Sequence, residues 1–141
     1  PLSSWNVPEV QPYNNCYNYA TDIKTNHWGN PGGSLTAADC YCGYLNSAVS
    51  SDGLQPGVDL NDLCHTSGLP EGHVVAVLVW PYTDFHLARM QADGTWSHKG
   101  GGDPATTLDE SGMPITDPRT ANFSPYGFCG FYWVGPNVRI R

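Results

Sequence analysis

The sequence predicts an α+β fold, with short helices first and an antiparallel β-sheet after them. Three observations lead there. Gly (16) and Pro (12) are plentiful while charged residues make up only 13% of the 141-residue chain, which favours loops and short strands over a helical bundle. Helical periodicity is confined to the first third of the chain. From Gly72 onward the apolar pattern is that of strands.

The length suits one domain, residues 1–141, with one core. A chain that begins at Pro1 reads as one that has lost a leader, propeptide or tag. "PLSSWNVPEVQP" (1–12), with three prolines, reads as an extended lead-in. Asn14 or Asn15 can cap a helix over 15–25, with Cys16 in its first turn. "NHWGNPGGS" (26–34) is a loop. A second helix is expected over 36–53, capped by Thr36, ended by Gly53, and apolar along Ala38, Cys42, Leu45 and Val49. On that helix Cys40 and Cys42 point about 200° apart.

"HVVAVLVW" (73–80) is a near-continuous apolar run, as expected of a strand covered on both faces. "DFHLARMQ" (84–91), "ADG" and "TWSHK" (95–99) form a hairpin. Residues 100–126 are a long loop, and "FCGFYWV" (128–134) is a closing strand.

The net charge is −7 with six Lys+Arg, which argues against nucleic acid and anionic membranes as partners. No apolar run has membrane-spanning length. Five cysteines read as two disulfides plus one free thiol, and hence as a secreted monomer. Cys16 is the expected free thiol. Cys40, Cys42, Cys64 and Cys129 then pair as Cys40–Cys64 with Cys42–Cys129, or the reverse. The former is preferred because Cys42 shares the core face that the last strand should cross.

The residue types also allow a chemical site. A thiol in a first helical turn meets unpaired N–H groups and partial positive charge, which lower its pKa and can stabilise an oxyanion. His86 and His98 lie on the paired strands of the hairpin, so His86 could act as base and His98 as its orienting partner. That requires a three-residue or bulged turn at 92–94 with Gly94 at positive φ. A two-residue turn puts His98 on the other face and makes Asp84 or Asp103 the better third residue. Tyr13 and Asn15 flank the thiol as candidate oxyanion or substrate contacts. Arg89 faces away from His86 and is expected to pair with an acid of the long loop, such as Asp117. His27, His65 and His73 read as surface or structural residues. A zinc site from Cys16, His86 and His98 matches no metal motif, so neither metal nor cofactor is expected.

"NNCYNYA" resembles the C-x-x-Y-A helix start of CHAP domains, and "VVAVLVWP…FHLARMQADGTWSHK" looks like the strand–hairpin segment of NlpC/P60 domains. The likeness covers roughly residues 13–99. The whole pattern, through "ITDPR", resembles a set of small secreted proteins. The resemblance implies a papain-like fold and a secreted cysteine peptidase or amidase with a Cys16–His86–His98 triad. Its substrate would be a peptide, including peptidoglycan stem peptides. Acyl transfer or thioester chemistry is the neighbouring option. The usual Asp-Cys-Ser-Gly context is absent, with Asn15 before Cys16 and Tyr17 after it. The competing class is a non-enzymatic secreted module, an adhesion, matrix or toxin-like scaffold. Five Trp, eight Tyr and few charges would suit such a surface.

Overall fold

The computed structural model describes residues 2–61 and 71–141. Among the described residues two α-helices, α1 (Cys16–Thr21) and α2 (Cys42–Ser51), precede most of the sheet. The strands are β1 (Gln55–Pro56), β2 (His73–Trp80), β3 (Asp84–Met90), β4 (Trp96–Lys99), β5 (Ala105–Thr106) and β6 (Gly127–Val134). They form one six-stranded antiparallel sheet in the order β1-β6-β2-β3-β4-β5. The architecture is therefore α+β.

The unbroken apolar run of β2 has its explanation in the packing. Val75, Val77 and Val79 meet α1 and α2 through Cys16, Tyr17, Ala20, Leu45 and Val49. Val74, Ala76 and Leu78 point the other way, to Ala88, Trp96, Ile115 and Phe123. Ile115 and Phe123 belong to the long loop, so that loop covers the second face as a layer of its own. Its hold on the sheet includes Trp96 N–H donating to Ile115 O at 3.0 Å.

Both helices are shorter than their sequence pattern. Asn15 caps α1 and forms a reciprocal capping box with Asn18. The helix ends after six residues because Asp22 turns left-handed at φ 62°. Thr36 does cap, but it caps a separate 3-10 turn, Ala37–Asp39, with Asp39 closing its box. Cys40 follows in a non-helical conformation, so Cys40 and Cys42 do not share a helix. Ala38 is consequently exposed, while Leu45 and Val49 are buried.

Cys42 bonds to Cys129 across 87 residues. A register irregularity between Val77 and Leu78 pairs them with Gly130 and Phe128, so Cys129 is the extra residue of a bulge. A bulge re-aims a side chain, and here that side chain packs toward the helix layer. Cys40 is a buried free thiol whose sulfur lies 3.6 Å from Thr36 O, which corrects its expected bridge. Cys64 and His65, both singled out from the sequence, lie outside the described residues.

The N-terminal segment is not an extended lead-in. It makes two 3-10 turns, Leu2–Ser4 and Gln11–Tyr13, and buries Trp5 edge-on against Tyr19 at 5.3 Å. Asn6 exchanges two hydrogen bonds with the Ala105 backbone, acting as a one-residue extension of the sheet edge. Lys99 anchors the far end of the segment. It is fully buried, and its ammonium donates to the carbonyls of Gln11, Asn14 and Gly101.

A buried cation needs those acceptors, and buried carbonyls turned toward it lose a strong donor without it. Lys99→Met, which keeps the stem and removes the donors, should cost on the order of 3–5 kcal/mol in urea unfolding. Amides of residues 11–22 should also exchange faster with solvent. A loss below about 1 kcal/mol would show that the cage is incidental.

Candidate functional site

The sequence-predicted residues converge on a cleft of about 410 Å³ lined by Asn15, Cys16, Trp28, Asp84, His86, His98, Asp103, Glu110 and Tyr126, among others. Tyr13 does not line it and stands exposed outside. The β3–β4 turn has three residues. Gln91 N–H donates to Thr95 O, Gly94 sits at φ 87°, and Ala88 pairs with His98. His98 thus shares a face with His86, and His86 Nε2 lies 2.8 Å from His98 Nδ1.

The direction of that hydrogen bond follows from its neighbour. Leu108 O, a pure acceptor, lies 2.8 Å from His98 Nε2, so that nitrogen carries the proton. In the tautomer that carries its proton on Nε2 alone, His98 Nδ1 accepts and His86 Nε2 donates to it. Burial, with the His98 charge second, pushes the His86 pKa down to about 3. Phe123 and Tyr126 pack against the His86 ring and supply that dry setting.

Cys16 lines that cleft but packs with the helix-facing core. Its neighbours Tyr17, Ala20 and Leu87 form the helix-facing core, with Phe85 against it. His86 alternates with Phe85 and Leu87 and pairs with Leu78, so its ring joins the opposite face. Among the described residues the thiol makes no hydrogen bond to either imidazole. Burial raises its pKa to about 12, although the Leu87 amide beside it pulls the other way. The Tyr17 amide and the N–H of Cys16 itself, at the helix start, also lower it, but burial is the larger effect. Asn15 Oδ1 accepts from the N–H groups of Tyr17, Asn18 and Gly29. Asn15 is therefore a helix cap.

Several important polar residues carried no sequence signal. Lys99 looks like a solvated strand-end cation. Asp52, in a helix C-cap, is buried and accepts from Tyr17 OH at 2.7 Å and Gly32 N–H at 2.9 Å. Burial raises the Tyr17 pKa, and Asp52 adds to the shift. Arg89 does face away from His86, but it pairs with Asp22 at 3.3 Å and stacks on Tyr19. Asp117 is taken by Arg119 at 2.8 Å. Asp84 accepts from Tyr126 OH at 2.8 Å, while Asp103 lines the cleft.

Two outcomes follow. In the native protein iodoacetamide should leave Cys16 unmodified at about pH 6 and label it once urea unfolds the chain. Selective native labelling at Cys16 would contradict the protonated, buried thiol. His86 should also make stability pH-dependent. Its folded pKa lies below the unfolded value, so its contribution is complete above about pH 6.5. It is lost as pH falls toward 3, at about 1.4 kcal/mol per pH unit. His86→Gln, which keeps a donor but does not titrate, should flatten that fall in urea titrations. An unchanged slope would assign it to another group.

No family model matches the chain, and no solved structure matches it. "Insoluble matrix shell protein 1" of Ruditapes philippinarum is 39% identical over 143 residues, spanning 98% of this chain and 90% of that protein. This relative corrects the expectation of an NlpC/P60 or CHAP-like cysteine peptidase with a peptide or peptidoglycan substrate. The motif likeness was local, whereas this similarity runs nearly end to end. At that identity and coverage, the chain belongs to the family of this matrix shell protein.

Proposed function

We propose that this protein is a secreted, non-enzymatic component of an extracellular shell matrix, acting through its surface rather than through bond cleavage. The near-full-length similarity to a matrix shell protein carries the reading. The Cys42–Cys129 disulfide suits an oxidising, extracellular setting. Its surface suits adhesion to other matrix components. Tyr13, Trp28, Tyr41, Trp80 and Tyr82 are exposed, and aromatic groups make large contacts at little entropic cost. In this reading Asn15, Cys16, His86 and His98 are scaffold. They cap α1, fill the helix layer and tie the hairpin to the long loop.

The test is where the protein resides. Antibodies should detect it in the insoluble organic residue left when shell mineral is dissolved, in preference to the soluble extract. Recombinant protein added to that residue should bind it, and Cys16→Ala should bind equally. Detection confined to the soluble extract, or binding lost with Cys16→Ala, would overturn the reading.

A further inference from the structure

The β2–β3 turn contains a conformational oddity. It runs through Trp80, Pro81, Tyr82 and Thr83 and is closed by Thr83 N–H donating to Trp80 O at 3.0 Å. Pro81 followed by Tyr82 at φ +57° gives a type II-like turn, whose third position normally takes glycine. A bulky side chain clashes in that left-handed conformation. Such a strained residue is a reason to ask what its side chain does. Tyr82 contributes little to the core, for it is 67% exposed, more than any other large hydrophobic residue described.

Its surroundings answer the question. Tyr82 N–H donates to Cys40 O at 2.7 Å, which holds the hairpin tip against the start of α2. The Tyr41 ring then stands 6.0 Å from the Tyr82 ring, tilted by 44°. Tyr41 is itself 43% exposed, so an oxidant in solvent reaches both phenols. Beneath Tyr41 lies Gly43, where any Cβ would come within 3.5 Å of Tyr41 Cε2. Tyr44 packs edge-on against Tyr41 at 6.1 Å, on the side of the helix.

We propose that Tyr41 and Tyr82 are an oxidative coupling pair, joined by an ortho carbon–carbon bond into dityrosine. The oxidant is hydrogen peroxide delivered through a haem peroxidase. Each phenol loses one electron and one proton to it and becomes a phenoxyl radical. The two ortho carbons bond, and the ring hydrogens at those carbons move to oxygen as both rings regain aromaticity. Two hydrogens leave the protein in all, and one peroxide becomes two waters. The bond forms within the chain because the rings are already neighbours, whereas a second molecule must diffuse in. It staples the hairpin tip beside Cys42, whose disulfide already ties α2 to β6. The biological use of a second covalent tie rests on the matrix reading; its formation does not.

Dilute protein treated with horseradish peroxidase and hydrogen peroxide should give a monomer lighter by two hydrogen atoms, with dityrosine fluorescence. Peptide mapping should place the bond between Tyr41 and Tyr82, with a yield independent of protein concentration. Tyr41→Phe and Tyr82→Phe keep the rings and should each cut that yield about tenfold or more, while Tyr13→Phe should not. Circular dichroism confirms that each variant is folded. A bond mapped to other tyrosines, a product made only of dimers, or full yield in Tyr82→Phe overturns the inference. Protein that couples as described yet is absent from the insoluble shell residue keeps the inference and overturns the matrix reading. Protein that resides there yet does not couple does the reverse.

Discussion

The buried ammonium of Lys99 joins parts of the chain that otherwise share little. It sits at the end of β4 and donates to carbonyls from the N-terminal turn, the residue before the α1 cap, and the loop after β4. Desolvation lowers its pKa, and no carboxylate forms a salt bridge with it among the described residues. The cation is held by three carbonyls, with the Asp103 charge near enough to favour it. That fixes where α1 begins, and Asn15 then closes the helix start with its own side chain. Removing the cation would take a charged donor from three inward-facing oxygens, which is why a single polar residue can govern a whole corner of the fold.

The same economy explains why a site with the residue types of a hydrolase has the electrostatics of a scaffold. A nucleophilic thiol needs positive potential and unpaired amides. Here α1 is six residues long, Asn15 Oδ1 accepts from the Tyr17 and Asn18 amides, and burial raises the Cys16 pKa. The imidazoles form a hydrogen-bonded chain that ends on the Leu108 carbonyl, so the chain ties the long loop to the sheet. The local "NNCYNYA" likeness was a likeness of helix starts. Asn15, Asn18 and Tyr19 are used here for capping and packing, which any short buried helix requires.

The surface has a different character from the core. Exposed aromatics gather where the β2–β3 turn meets the start of α2, and Tyr82 adopts an unfavourable backbone conformation there. Stability lies in two packed faces and a disulfide across the chain, which leaves surface side chains available for association.

The sequence by itself determined the α+β order and the span of β2, and narrowed the β3–β4 register to two turn lengths, of which the three-residue one is found. These rest on local rules. An apolar run too dense for alternation must be covered on both faces, and "ADG" supplies a glycine where a three-residue turn needs positive φ. Of the two pairings left open, the sequence favoured the one containing Cys42–Cys129, from the core face of α2 and the course of the last strand, but it wrongly paired Cys40 as well. It could not reveal that the second expected helix breaks at Cys40, because propensity there is decided by the capping box of Thr36 and Asp39. Nor could it show that Trp5 is buried, or that Lys99 is caged by distant carbonyls. Above all, the pattern put His86 and His98 on one face only for a three-residue turn, and did not show how α1 meets that hairpin. Pleat alternation fixes relative sides within a sheet. Only the three-dimensional packing of α1 on Leu87 showed that the thiol, which lines the same cleft as the imidazoles, packs with the helix-facing core and makes no hydrogen bond to them among the described residues.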